Sequence, residues 1–388
     1  MEELVLDKVL FIKGLSQYNL MRFWVDSLAI GFEKQNIEVD IIDFKYVDLL
    51  YLENLIAHNN YDAIIGFNGW LINQFNFKNI KCPYIFILID HPIDHIDRIN
   101  HLTDKDILTI IDRNDIYTID KFCNMPKNVF LLPHAAQEVN YEQRFDEKMI
   151  DVLFSGSYLD PEEIRGKWLV HPILLSIFDE VVNRCLFEPQ NYYISEFEKV
   201  MKEKGNFLDF KEDGSFVVLV QMIGRYIYSK RRELVLKEIL DSGINVEIYG
   251  NGWENSSFVN YPNITLHQSV SYWALQDIMK KAKIILNIAG IANDGTHERV
   301  FAGMSNQSIV LTNETPYLKE LFEDSVEVIF YNFSDISSVP AKINELLSSN
   351  EEMNKISYNA MRAIISQHTW NERAKEIIEI FYSVYPQE

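Results

Sequence analysis

The feature that most constrains this chain is a repeated alternation of short apolar runs with helical segments. "KVLFIKG" (8–14) is an apolar run closed by a glycine, which predicts a buried strand and a turn. "YNLMRFWVDSLAIGFEKQN" (18–36) spaces its apolar residues by three and four, which predicts an amphipathic helix. "EVDIIDF" (38–44), "YDAIIGFN" (61–68), "PYIFILID" (83–90), "DILTIID" (106–112) and "NVFLLPH" (128–134) continue the strand series. Strands separated by helices imply βαβ units and a parallel sheet.

The pattern restarts at "MIDVLFSGSY" (149–158) and passes through a helical stretch of about 161–237. It resumes with "INVEIYGNGW" (244–253), "ITLHQSV" (264–270), "KIILNI" (283–288), "SIVLTN" (308–313) and "SVEVIFYN" (325–332) as strands. A length of 388 residues suits two domains, with a boundary expected near 145. In open parallel sheets ligands bind beyond the carboxyl ends of strands, so polar residues just after strands are the site candidates.

Composition excludes several classes. A net charge of −21 argues against a general nucleic-acid binder and against strong attraction to anionic lipid. Cys82, Cys123 and Cys185 are isolated, with neither metal spacing nor a disulfide framework. The N-terminal "MEELVLDKVLFIKG" is acidic and runs directly into a strand, unlike a signal peptide, and no apolar run is long enough to span a membrane. A cytoplasmic protein is expected. The 20 Tyr and 24 Phe suit core filling more readily than a sugar or base platform.

Five polar knots stand out, four of them just after strands. In "NDGTHERVFAGMSNQ" (293–307), Thr296 or Asp294 could cap a helix whose N-terminus favours phosphate, with Arg299 as a fork-shaped donor and His297 as a donor to phosphate or sugar oxygens. The bland alternative leaves Glu298 and Arg299 in solvent. In "YSKRRELVLKEI" (228–239), Lys230, Arg231 and Arg232 are expected to open a helix, where cations oppose the dipole unless an anion is near; a solvated face is the alternative. "IYGNGWE" (248–254) places Gly250 and Gly252 after Tyr249, and "FSGSY" (154–158) places Gly156 and Ser157 after a strand. Such glycines allow close approach to a ligand, or simply a tight turn. "LIDHPIDHIDR" (88–98) gathers Asp90, His91, Asp94, His95 and Asp97. Its spacing is not that of a metal motif; Asp90 or His91 could act as a general base, or the loop could merely be braced.

Taken together, "DVLFSGSY" (151–158), "VEIYGNGWE" (246–254), "AKIILNI" (282–288), "THERVFAGM" (296–304), "IVLTNETPYLKELF" (309–322), "VEVIFYN" (326–332) and "HTWNERAKEII" (368–378) resemble the GT-B glycosyltransferases, and more narrowly the bacterial family related to the spore maturation protein CgeB. The resemblance covers roughly 149–385. It implies an α/β fold of GT-B architecture, two Rossmann-like doubly wound domains facing a central cleft. The domains expected are 1–145 for the acceptor, 146–370 for the donor with a helical insertion about 165–225, and 371–388 as a terminal helix packing back across the hinge.

The resemblance also implies metal-independent transfer from a nucleotide-diphosphate sugar, UDP-sugar favoured, to a glycan or protein acceptor in glycan biosynthesis, with no further cofactor. On that likeness Gly156 and Ser157 lie by the diphosphate, with Arg299 and Lys230 or Arg231 balancing its charge. Tyr249, Gly250 and Gly252 lie near the base, and His297, Arg299 and Val300 meet the sugar and phosphates. The family pattern R-x-F-E-A-x-A-x-G is broken here: Ala302 stands at the ribose-binding Glu and Gln307 at the final Gly. Glu298 could supply the carboxylate instead. A sugar-nucleotide epimerase of the same fold and a catalytically silent binding subunit are the alternatives.

Overall fold

In the computed structural model of the chain, residues 5–74, 80–139, 147–206, 209–212 and 214–386 are described. They form two compact units: residues 1–137 with 367–388, and residues 138–366. The boundary expected near 145 falls in 140–146, outside the described residues, and 207, 208 and 213 of the expected insertion 165–225 also lie outside them.

The first unit runs β1 (Lys8–Lys13), α1 (Leu20–Glu33), β2 (Glu38–Asp43), α2 (Leu49–His58), β3 (Ala63–Phe67), β4 (Tyr84–Ile87), α3 (Ile96–Ile99), β5 (Ile107–Ile110), α4 (Asp115–Phe122) and β6 (Asn128–Leu131). Its six-stranded sheet has the order β2-β1-β3-β4-β5-β6, with every pairing parallel. β3, β4 and β5 are buried throughout, which is why their sequences are continuous apolar runs rather than alternations. Residues 367–388 belong to this unit, and its last helix packs on α1. There Gly31 lets the Trp370 backbone approach: a Cβ would lie 3.0 Å from the Trp370 carbonyl oxygen.

The second unit contains β7 (Ile150–Ser155), α5 (Pro161–Gly166), α6 (Pro172–Cys185), α7 (Tyr193–Glu203), α8 (Val217–Asp241), β8 (Val246–Tyr249), β9 (Ile264–His267), α9 (Tyr272–Met279), β10 (Ala282–Asn287), α10 (Glu298–Ser305), β11 (Ile309–Asn313), α11 (Pro316–Leu321), β12 (Ile329–Tyr331), α12 (Val339–Leu347) and α13 (Asn350–Gln367). α14 (Trp370–Val384) returns the chain to the first unit. The second sheet is also six-stranded and parallel, in the order β12-β11-β10-β7-β8-β9. β12 is shorter than the run 325–332 suggested, because Ser325 takes φ 63° and its amide bonds to the Val328 carbonyl in a turn.

β7 has β8 on one side and β10 on the other, so the connections after β7 and β10 leave in opposite senses. That is the switch point at which a crevice opens beyond the carboxyl ends of the strands. α8 is the long element that flanks it. Its buried positions include Ile223, Ile227, Arg231, Arg232, Val235, Leu236 and Ile239, spaced by three and four.

Candidate active site

Two loops and two helices build the site at the switch point of the second unit. β7 ends in Ser155 and passes into Gly156 and Ser157; β10 ends in Asn287 and leads to the start of α10. The cap of α10 is His297, not Thr296 or Asp294: His297 is extended (φ −118°, ψ 150°), with Nδ1 3.4 Å from the Arg299 amide and in contact with the Glu298 carboxylate. Burial, and then the Arg299 charge, lower the His297 pKa, so the ring is neutral at pH 7.

Every residue of α10 is buried. The helix lies against β10 and β11, where a Cβ on Gly303 would stand 2.8 Å from Val310 and 3.1 Å from Ile285. Val300 is wholly buried, so its side chain packs inside the unit rather than facing a ligand. Gln307 follows the helix with φ 53°, the left-handed conformation that glycine would take without strain. The backbone shape is therefore kept without the glycine.

Lys230, Arg231 and Arg232 do not open a helix, as expected from sequence; they lie in the middle of α8, because its apolar pattern begins a dozen residues earlier, at Val217. Their fates differ with their angular positions. Lys230 stays near the surface with Glu233 (3.2 Å) and Glu162 (3.4 Å). Arg231 is 3% exposed and spends its guanidinium on main-chain carbonyls: Nε to Leu186 (2.9 Å), Nη2 to Cys185 (2.6 Å) and Nη1 to Gly290. It fastens the end of α6 to the loop after β10 and is not placed to meet a phosphate. Asn293 adds to the same fastening by bonding the Pro189 carbonyl.

Arg232 is the cation that reaches the site. It is 5% exposed, and its Nη1 donates to the Ser157 carbonyl (2.9 Å). Its guanidinium stacks 3.8 Å from the Tyr228 ring centroid and also bonds the Tyr228 hydroxyl. A Cβ on Gly156 would lie 3.2 Å from that guanidinium, so the glycine lets the arginine lie flat on the loop. Arg299, 4% exposed, is aimed from α10 by Asn287, whose Oδ1 accepts from Nε (3.2 Å). Among the described residues, Arg232 Nε and Arg299 Nη2 are buried nitrogens with no hydrogen-bond partner. Burial lowers both pKa values, and for Arg232 the neighbouring Arg299 lowers it further. Glu298 is the carboxylate that acts on both. A pair of buried cations with unmet N–H groups and one shared carboxylate is short of negative charge, which an anionic ligand would supply.

The glycine loops serve each other as much as a ligand. The Gly156 amide donates to the Tyr249 carbonyl (2.9 Å), and its carbonyl accepts from Trp253 Nε1 (2.7 Å). A Cβ on Gly250 would collide with that Gly156 carbonyl, and one on Gly252 (φ 88°) would lie 2.8 Å from the Tyr158 carbonyl. The Gly156 amide is thus already used within the fold. Tyr249 stacks on His267 at 4.2 Å and 11°, half-buried at the same strand edge.

In the first unit, Asp90 and His91 follow β4. Asn68 (φ 51°) donates from Nδ2 to Asp90 Oδ2 (2.7 Å) and accepts from the Ile89 amide (3.0 Å). His95 Nε2 stands 3.7 Å from the same carboxylate oxygen. Desolvation raises the Asp90 pKa, but His95 and Asn68 more than offset it, so the carboxyl is held below its ordinary value and is ionised. His91 caps the turn Pro92–Asp94 through Nδ1, and burial, with His95, lowers its pKa to about 3. Asp90 is therefore the more basic-site-like of the two: exposed, ionised and oriented. Among the described residues there is no group of three or more His, Cys, Asp or Glu side chains that could hold a metal ion.

Residues 231–379 match a family model described as glycosyl transferase-like. No curated protein matches the sequence. Solved structures that are similar include HepE of Anabaena in complex with UDP and glucose, at 12% identity and TM-score 0.51, covering 97% of this chain and 100% of that one. The sucrose-phosphate synthase of Thermosynechococcus elongatus is similar at 8% identity and TM-score 0.57, covering 98% and 99%. AviGT4, a glycosyltransferase involved in avilamycin A biosynthesis, is similar at 12% identity and TM-score 0.57, covering 99% of each chain. The chain has the α/β fold of the GT-B glycosyltransferases, two parallel sheets with surrounding helices.

Proposed function

We propose that this protein is a glycosyltransferase of hexosyl or N-acetylhexosaminyl type. It transfers a sugar from a nucleoside-diphosphate sugar, UDP-sugar favoured, to a glycan or protein acceptor without a metal ion. The observation that carries the reading is the Arg232–Arg299 pair: buried guanidiniums with unpartnered nitrogens at the switch point of the second sheet. Placed there, they would neutralise the charge that grows on the departing diphosphate, a role worth about 3 kcal/mol per preorganised donor. The glycosyl transferase-like match over 231–379 and the UDP in the HepE complex support the donor class, and the CgeB-related subfamily is proposed on the sequence resemblance alone.

Neutral His297, at the helix cap beside Arg299, would bond a sugar or phosphate oxygen. Asp90, in the first unit, is the group proposed to take the acceptor proton if the reaction inverts. A silent binding subunit is the second reading, favoured by Ala302: it is 1% exposed, at the position where the resemblance implies a carboxylate.

The test is thermal unfolding with UDP, GDP, CMP, ADP and TDP and their sugars, followed by product analysis with and without acceptor. A ligand at a hundredfold excess over its dissociation constant stabilises by about 2.7 kcal/mol. Stabilisation by one nucleotide, together with turnover, supports the transferase. Stabilisation without turnover favours the silent subunit, and turnover of the donor without acceptor favours an epimerase. Binding of no nucleotide overturns the donor-site reading.

A further inference from the structure

The segment 164–178, "IRGKWLVHPILLSIF", is unlike the rest of the molecule. None of the chain's 57 acidic residues falls between Glu163 and Asp179, whereas Arg165, Lys167 and His171 do. Leu169 is 60% exposed, Val170 78% and Ile173 76%, although all are large aliphatics. They lie at the turn between α5 and the first residues of α6, which Pro172 opens. A Cβ built on Gly166 would meet nothing within 4 Å, so the space beside this turn is open. Trp168 is half-buried beside the aliphatic residues, and Lys167 and His171 are exposed on either side of them. Arg165 is held by Asp179 (2.8 and 2.7 Å), which leaves Lys167 as the outward cation, with the His171 ring beside it.

We propose that this projecting tip docks the protein on an anionic lipid surface. Leu169, Val170 and Ile173 would enter the acyl boundary while Lys167 and His171 sit among the headgroups, an arrangement in which apolar burial and charge attraction act together. Three considerations favour lipid over other occupants. A two-fold contact with a second copy would set Lys167 and His171 against their own images, since such an interface pairs like with like. A protein partner is usually held by aromatic or arginine anchors seated in pockets, and here the exposed residues are aliphatic and project outward. The chain as a whole, at a net charge of −21, repels an anionic bilayer, so contact would be confined to this tip and would orient the molecule. Among the described residues no helix is long and apolar enough to cross a membrane, so the contact is interfacial. The proposal stands independently of the glycosyltransferase reading.

The test is co-sedimentation of the full chain with vesicles of phosphatidylcholine alone and of phosphatidylcholine mixed with phosphatidylglycerol, at low and high salt. Wild type is compared with the double variant Val170→Asp/Ile173→Asp and with Lys167→Glu. The substituted side chains are exposed, and an unchanged melting temperature checks that each variant is folded. The expected result is partitioning of wild type to the mixed vesicles, weaker at high salt, with a loss of about tenfold or more in the double variant. Lys167→Glu should weaken binding to the mixed vesicles and leave binding to phosphatidylcholine unchanged. Wild type remaining in the supernatant, or the double variant sedimenting as wild type does, overturns the proposal. So does a wild-type dimer, seen by light scattering, that the double variant converts to monomer without vesicle binding, because the tip would then be a self-association face.

Discussion

Arg232 and Arg299 share one aromatic ring: their guanidinium carbons lie 5.3 Å and 5.9 Å from the centroid of Phe154. The ring partly stabilises two cations that repel each other, but it cannot replace a counter-ion. Arg232→Ala or Arg299→Ala should therefore abolish the nucleotide-induced rise in melting temperature, whereas Lys230→Ala, which only breaks surface pairs, should leave it within error. In the absence of ligand, Arg232→Met, which keeps most of the volume, should cost little or even stabilise, because one of two like buried charges is removed. Paired thermal scans with and without the stabilising nucleotide read both effects.

Arg231 serves the fold instead. Arg231→Ala leaves the carbonyls of Cys185, Leu186 and Gly290 without this donor, and should cost about 3 kcal/mol or more in denaturant unfolding. Lysine cannot reproduce the fork, so Arg231→Lys should recover only part of the loss. A wild-type unfolding midpoint for Arg231→Lys would contradict this assignment.

Gly250 faces the Gly156 carbonyl, and Gly166 faces open space. Gly250→Ala should destabilise by about 1–3 kcal/mol through overpacking against backbone. Gly166→Ala, in the last turn of α5, should be neutral or stabilising by up to about 1 kcal/mol through helix propensity. Matched denaturant titrations decide.

Asp90→Asn keeps the shape and the bond to Asn68 but removes the base. If transfer inverts, turnover should fall by about a hundredfold or more with nucleotide affinity unchanged. Because the Asp90 carboxyl is held below its ordinary value, wild-type kcat/KM should hold through mildly acidic pH and fall only below the usual carboxylate range. His91→Ala should instead lower stability by removing the cap of the Pro92–Asp94 turn.

His368 accepts from Arg373 Nη2 (3.0 Å) and is 8% exposed; burial, then the Arg373 charge, lower its pKa to about 4. The unfolded chain takes up this proton near pH 6.5 and the folded unit only near pH 4. The stability it contributes is thus complete above pH 6.5 and is lost as pH falls to about 4, on the order of 3 kcal/mol. His368→Asn should flatten this part of the unfolding-midpoint profile relative to wild type.

The sequence by itself determined the elements and the fold class. Runs such as "PYIFILID" and "KIILNI" are apolar on both faces, which only a covered parallel strand satisfies, and their alternation with helical periods leads to two doubly wound sheets. It also placed His297 and Arg299 at a helix start, because a polar cluster followed by an apolar segment marks one. The helical period separates the three cations only in part: Arg231 lies four residues from Ile227 and from Val235, and Arg232 three and four from Val235 and Leu236, whereas Lys230 is in step with Ile227 and Ile223 but with no buried apolar residue three or four positions after it.

What only the tertiary structure decided is what each buried group faces. Arg231 and Arg232 are chemically identical neighbours, yet one meets carbonyls from α6 and the loop after β10 while the other meets Phe154, Gly156 and the charge of Arg299. Gly250 reads as an opening for a ligand until the Gly156 carbonyl is seen to fill that space. Local periodicity fixes which side of a helix turns inward. The partner it meets there comes from strands and loops dozens of residues away, through contacts that no local pattern encodes.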